Sequence, residues 1–137
     1  MASDDELETQ ERFRQWYELE SEVLVEIERA VIGADYGANG YTTRAQVDEI
    51  VRRLHIGAAD TVLDVGTGRG WPATYLARTT GCSVVASDLP FEGLAIGKVR
   101  AERDALGRRV VFVAARGEEL PLREESFDVV VHTDVLC

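Results

Sequence analysis

Residues 61–87 constrain the fold more than any other stretch of this chain. An apolar run, Val62-Leu63-Asp64-Val65, breaks into Gly66-Thr67-Gly68-Arg69-Gly70. The chain continues through Trp71-Pro72-Ala73-Thr74-Tyr75-Leu76-Ala77, turns at Gly81 and resumes as Ser83-Val84-Val85-Ala86-Ser87, closed by Asp88. This reads as strand, glycine turn, helix, strand. Two parallel strands joined by a helix need a sharp turn where the first strand hands over, and glycines there accept positive φ and let a ligand approach bare backbone. The N-terminus of the following helix offers unpaired N–H groups and the positive end of a dipole. An acid at the tip of the second strand can accept two hydrogen bonds from a ribose diol.

Other apolar runs extend the pattern. Residues 109–114, centred on Val110-Val111-Phe112-Val113, read as a third strand and residues 127–132 as a fourth. They are continuous runs rather than alternations, as in a parallel sheet covered on both faces. Right-handed crossovers then give the strand order 3-2-1-4 in an α/β, Rossmann-like, doubly wound sheet. Thr43-Arg44-Ala45-Gln46 is a capping-box pattern that opens a helix striped by Val47, Ile50, Val51 and Leu54 and ended by Gly57. Pro90 and Phe91 open another helix that runs to Leu106 and stops at Gly107. Gly93 and Gly97 lower its propensity by roughly 1 kcal/mol each, which points to close packing or a mobile first turn.

Ahead of these, residues 6–32 read as one long helix with Phe13, Trp16, Tyr17, Val23, Leu24, Ile27 and Val31 near helical spacing. It either packs on the sheet domain or serves as a lid or oligomerisation helix, with Trp16 and Tyr17 reaching inward. Residues 33–40, with three glycines and an Asn-Gly step, form a loop that is either a linker or a cover closing on ligand. The expected organisation is an N-terminal helix and loop over residues 1–42 and a Rossmann-like domain over residues 43–137.

Composition narrows the function. The chain has 137 residues, enough for one domain with a core, and 45% apolar residues. Its net charge of −10 lacks the basic footprint of a nucleic-acid binder. No apolar run approaches the ~20 residues of a membrane span, and the acidic start Met1-Ala2-Ser3-Asp4-Asp5-Glu6 lacks the layout of a signal peptide, so the expectation is a cytoplasmic protein without a membrane or nucleic-acid partner. Cys82 and Cys137 make neither a disulfide framework nor a metal set, and Cys82 reads as a core thiol.

At the motifs the sequence resembles a known family. Asp64-Val65-Gly66-Thr67-Gly68-Arg69-Gly70 is similar to the first motif of class I S-adenosylmethionine-dependent methyltransferases. Ser87-Asp88-Leu89-Pro90 resembles their second motif. Gly117-Glu118-Glu119-Leu120-Pro121-Leu122 with Ser126-Phe127-Asp128-Val129-Val130-Val131 resembles the third motif and fourth strand of the small-molecule branch. The dinucleotide fingerprint G-x-G-x-x-G fits less well, since Trp71 holds the place of its last glycine.

The resemblance implies S-adenosyl-L-methionine as cofactor and a small-molecule acceptor, methylated at O, N or C. Gly66, Thr67, Gly68 and Gly70 would let the backbone approach its methionine and ribose portions. Asp64 would orient the amino group through water, or else be a structural acid for the turn. Asp88 would hold the ribose hydroxyls and Leu89 lie against adenine. Arg116 stands where the family often has an adenine-binding Asp, and arginine has no acceptor, so adenine falls to the backbone near Gly117, to Glu118, or to stacking. Tyr41 and Thr42 fall where the family can touch the cofactor carboxylate. His132, past the fourth strand, would lie near the methyl end and is a candidate base, as is Asp134. Two other readings stand beside this one: a truncated, non-catalytic cofactor-binding module, and a nicotinamide-dependent oxidoreductase. Family members have seven strands. The four here leave Val129, Val130 and Val131 as an expected apolar edge, hence a homodimer through that strand, aggregation, or a missing C-terminal part of the same chain.

Overall fold

The structure is a computed structural model that describes residues 4–18, 21–36 and 40–135. The side chains of Phe13 and Tyr17, residues 37–39 of the glycine loop, and Leu136 and Cys137 lie outside the described residues. Four parallel strands, β1 (Thr61–Val65), β2 (Ser83–Asp88), β3 (Val110–Ala114) and β4 (Val129–His132), pair in the order β3-β2-β1-β4. Helix α3 (Arg44–Leu54) precedes β1, α4 (Ala73–Thr80) links β1 to β2, and α5 (Phe91–Arg103) links β2 to β3. This is the expected α/β Rossmann-like sheet.

Register assigns each side chain to a face. Val62 pairs with Val84 and Val129, and Val84 pairs with Val110. Together with Ala86 and Val131 these residues join one core with Val47 of α3 and Ala73, Leu76 and Ala77 of α4. The alternate row, Val111-Val85-Leu63-Val130, points to the other face. There Val111 is 55% exposed and Val130 57% exposed. Continuous apolar strands suggested cover on both faces, whereas within the described residues the outer strands are covered on one. Both crossover helices of a right-handed 1→2→3 progression, α4 and α5, fall on the same side, and α3 joins them there.

The N-terminal region departs from expectation. There are two helices, α1 (Asp4–Glu18) and α2 (Glu22–Val31), in place of one. Ser21 is extended (φ −141°, ψ 123°), and this break resets the helical phase. The apolar stripe therefore never forms one inward face. Trp16 is 51% exposed, and Val23, Leu24, Ile27 and Val31 are exposed as well. The buried residue of α2 is Glu28, which accepts from the Tyr36 N–H (2.5 Å). Ile32 and Tyr36 sit in the same core as Trp71, whose ring lies 5.0 Å from Tyr36 and 5.5 Å from Tyr75. The described part of the glycine loop is thus pinned through Tyr36.

The Thr43–Gln46 capping box forms in both directions at the start of α3. That helix ends at Leu54 with His55 left-handed, short of Gly57. α5 likewise ends at Arg103. Ala105 takes φ 59° and the Leu106 N–H bonds the Ala101 carbonyl (2.7 Å), so the chain turns before Gly107. Gly93 and Gly97 are both buried. A Cβ on Gly97 would stand 2.9 Å from the Arg69 carbonyl and 2.7 Å from the Phe112 ring, which settles for close packing over a mobile turn. α5 is thereby pressed against the glycine turn.

Candidate cofactor site

The turn after β1 is held by hydrogen bonds within itself and to the end of β2. Gly66, Gly68 and Gly70 all have positive φ (77°, 56° and 91°), the region that favours glycine. The N–H groups of Gly66 and Thr67 donate to the Ser87 carbonyl (2.8 and 3.0 Å). The Gly68 N–H donates to Asp88 Oδ2 (2.7 Å), and those of Gly70 and Trp71 donate to the Thr67 carbonyl (2.9 and 3.1 Å). These donors are the ones a pyrophosphate would need, and they are already engaged. Trp71, at the place of the fingerprint's last glycine, is buried and donates through Nε1 to the Thr42 carbonyl (3.1 Å).

Beside this turn, at the carboxyl ends of the strands, lies a cavity of 760 Å³. That is within the ~300–1,000 Å³ of small-molecule sites. Gly66, Asp88, Leu89, Gly117 and Glu118 line it, with Arg116 and Asp134. The structure thus brings these seven residues, all singled out in the sequence, to one cavity. Asp64, Thr67, Gly68 and Gly70 form the layer behind or beside it. His132 does not line the cavity; it pairs with Val65 at the end of β4 and is exposed. Asp134 does line it, but its Oδ2 accepts from the Tyr41 and Thr42 N–H groups (2.9 and 3.0 Å). Those N–H groups are therefore turned to Asp134.

One wall was not read from the sequence. Asp5, Glu6, Thr9 and Gln10 of α1 face the cavity, and Glu6 Oε1 lies 3.6 Å from the Arg116 guanidinium across its mouth. The signal was their spacing, two adjacent pairs one helical turn apart. The apolar stripe on the same helix points instead to Trp16, which is exposed.

The electrostatics of the site are specific. Asp5, Glu6, Asp88, Glu118 and Asp134 line the cavity against the single guanidinium of Arg116. Asp64 is fully buried behind the turn, and both its oxygens lack a hydrogen-bond partner. The Thr67 hydroxyl and the Ala73 N–H favour its charged form without completing a hydrogen bond to it. Burial dominates and pushes the Asp64 carboxyl up to about 7, with the charge of Asp88 adding to the rise. Burial also raises the Asp88 carboxyl, against the N–H groups of Gly68 and Leu89 that donate to it. Each Asp88 oxygen accepts one of these bonds (both 2.7 Å) and keeps a lone pair for an outside donor. Such a site suits a ligand that carries a positive charge and a vicinal diol. It opposes a pyrophosphate, whose charge the carboxylates repel and whose usual donors are occupied.

A family model described as a methyltransferase domain matches residues 63–137. The chain belongs to this methyltransferase domain family. Among the relatives of this methyltransferase domain, Methyltransferase GfsG of Streptomyces halstedii is 37% identical over 81 residues, 59% of this chain and 29% of that protein. The 27-O-demethylrifamycin SV methyltransferase of Amycolatopsis mediterranei is 35% identical over 89 residues, 65% of this chain and 32% of that protein. The chain thus spans about a third or less of the length of these relatives. The fold matches that of a Geobacter sulfurreducens methyltransferase solved with S-adenosyl-L-homocysteine, with a TM-score of 0.64 at 20% identity over 85% of this chain and 45% of that one. Among the described residues no cluster of His, Cys, Asp or Glu could hold a metal ion, and no helix is long and apolar enough to cross a membrane.

Proposed function

We propose that this domain binds S-adenosyl-L-methionine in the 760 Å³ cavity and takes part in methyl transfer to a small-molecule acceptor in the cytoplasm. The observation that carries this reading is the pairing of an acidic cavity with a glycine turn whose N–H groups are already engaged. Together they favour a cationic nucleoside over a dinucleotide. Bound there, S-adenosyl-L-methionine supplies a methyl group already activated on a sulfonium, so the protein's work is positioning and exclusion of water.

Each residue then has a role in this proposal. Asp88 accepts from the ribose hydroxyls with its remaining lone pairs. Leu89 lies against adenine, and Gly117 and Glu118 border the same end. Gly66, Gly68 and Gly70 keep Cβ atoms out of the turn, with Thr67 packed beneath. Asp64, behind the turn, orients the amino group through water, and helix α1 shields the opening. His132 and Asp134 are not assigned as bases: one stands off the cavity and the other is held by two backbone N–H groups. A cofactor-binding module without turnover is the second reading, favoured by that lack of a poised base. The 35%-identical rifamycin-modifying relative supports a small-molecule acceptor. The open sheet face would be covered by a second copy or by further chain.

Release of S-adenosylhomocysteine in the presence of a panel of small-molecule acceptors tests the proposal. Acceptor-dependent release supports methyl transfer. Binding of S-adenosylmethionine without release on any acceptor supports the module reading.

A further inference from the structure

A second concavity carries the opposite charge. It measures 220 Å³ and lies between the segment after α2, the start of α3 and the end of α4. Arg29, Arg44 and Arg78 line it against the single carboxylate of Asp35, with Tyr36 and Tyr75 as its floor. Glu28 and Asp48 stand close by but are engaged, Glu28 by the Tyr36 N–H and Asp48 by the Tyr75 hydroxyl (2.7 Å). In a chain of net charge −10 this gathering of guanidiniums is not a matter of general surface composition.

The arginines are held in ways that leave donors free. The Arg78 guanidinium lies 5.9 Å from the Tyr36 ring and 5.7 Å from the Tyr75 ring, and it has no hydrogen bond or ion pair among the described residues. Contact with a ring face fixes a guanidinium while its N–H edge stays available in the plane. Arg44 Nε donates to the Tyr75 hydroxyl (2.9 Å) with its Cζ 5.4 Å from the centroid of that ring, so its terminal nitrogens remain to donate. Arg29 is shared with Asp35 (3.1 Å). Both tyrosines are buried and form the aromatic stack with Trp71, which makes the floor rigid. Two guanidinium forks with free N–H groups around a small cavity match a tetrahedral dianion, which can accept from both at once.

We propose that this crevice binds a phosphate group, either free phosphate or the terminal group of a phosphate monoester. The volume falls below the ~300 Å³ at which sites for drug-sized ligands begin, so the group itself, rather than the body of a large ligand, fills it. The site is separate from the cofactor cavity and does not rest on the methyl-transfer reading. A bound phosphate would also tie Arg44 to α4. Two residues before Arg44, the Thr42 N–H holds Asp134 in the wall of the cofactor cavity.

Isothermal titration with inorganic phosphate and with glycerol 3-phosphate, each against sodium chloride of equal ionic strength, tests this directly. Saturable binding is expected for the wild-type chain. Arg78→Gln, which keeps most of the side-chain stem, should weaken it roughly ten- to a hundredfold, the worth of one charge-assisted donor group. Arg52→Ala, removing an exposed arginine that pairs with Glu49 outside the crevice, should leave it unchanged. Tighter binding of the ester assigns the group to a larger ligand, and equal binding assigns the free ion. No heat beyond the chloride control overturns the proposal. So does an Arg78→Gln chain with native circular dichroism that binds phosphate like the wild type.

Discussion

Asp64 and Asp88 are both β-strand carboxylates at the glycine turn, yet their surroundings differ. Asp88 is answered on each oxygen by a backbone N–H, while Asp64 is fully buried and answered on neither. An acid whose carboxyl is raised by folding keeps its proton in the native state after the unfolded chain has lost it. Its favourable contribution is therefore complete below the unfolded value of 3.8 and is lost as pH rises through about 7. Asp64→Asn, of nearly the same shape, should remove this dependence and raise the melting temperature at pH 8 by roughly 4 °C or more, the change that ~1 kcal/mol produces in a domain of this size. Melting curves across pH 4–8 check it, and a wild-type stability that stays flat or climbs over that range would show that Asp64 is not held as a buried acid. The resemblance allowed two roles for Asp64, an orienting acid or one that satisfies the turn's N–H groups. The structure gives those N–H groups to Ser87, Asp88 and Thr67, leaving Asp64 unanswered from inside the protein.

At the scale of elements, what the sequence made legible is what local chemistry decides. The Thr43–Gln46 capping box needs only residues three apart, and the glycine turn is marked by its own residues, the three that take positive φ. The strand order followed from handedness once four apolar runs were in hand. Less legible was whatever depends on a partner far away in sequence. The break at Ser21 falls in a stretch where polar and apolar residues continue the helical pattern. The closing wall of the cofactor cavity comes from polar residues of α1, which no apolar pattern marks. Asp134 stands in the sequence as a candidate base, and the bonds it accepts from the Tyr41 and Thr42 N–H groups form only when the chain returns after 93 and 92 residues. Gly97 stands between these cases: the sequence showed it as out of place in a helix, and the fold supplies the reason. Gly97→Ala would normally help a helix by up to ~1 kcal/mol. Here the added Cβ meets the Arg69 backbone and the Phe112 ring, so a net loss of about 1–3 kcal/mol is expected from overpacking. Urea denaturation measures it, and a stabilised variant would mean that α5 does not press on the turn.

For the whole molecule, charge and apolar surface are both unevenly placed. The cofactor cavity is acidic, the second crevice is basic, and the sheet face bearing Val111 and Val130 is apolar and open within the described residues. An open apolar face and an edge strand are templates for association. The 137-residue polypeptide should therefore self-associate as its concentration rises, and Val111→Thr with Val130→Thr should reduce this without loss of helix content. Light scattering after size exclusion decides the point, and a wild-type monomer at all concentrations would show that the face is covered in solution. The central claim concerns the other end of the sheet, where acidic walls and engaged N–H groups favour an adenosyl amino acid, with its ammonium and ribose diol, over a pyrophosphate. Its most direct test is calorimetric titration of the wild-type chain and of Asp88→Ala with S-adenosylhomocysteine and with NAD. Saturable binding of S-adenosylhomocysteine, no binding of NAD, and a loss of roughly 1.5–3 kcal/mol in Asp88→Ala are expected from the charge-assisted bonds that Asp88 offers. Saturable binding of NAD, or S-adenosylhomocysteine affinity unchanged by Asp88→Ala, would contradict the account.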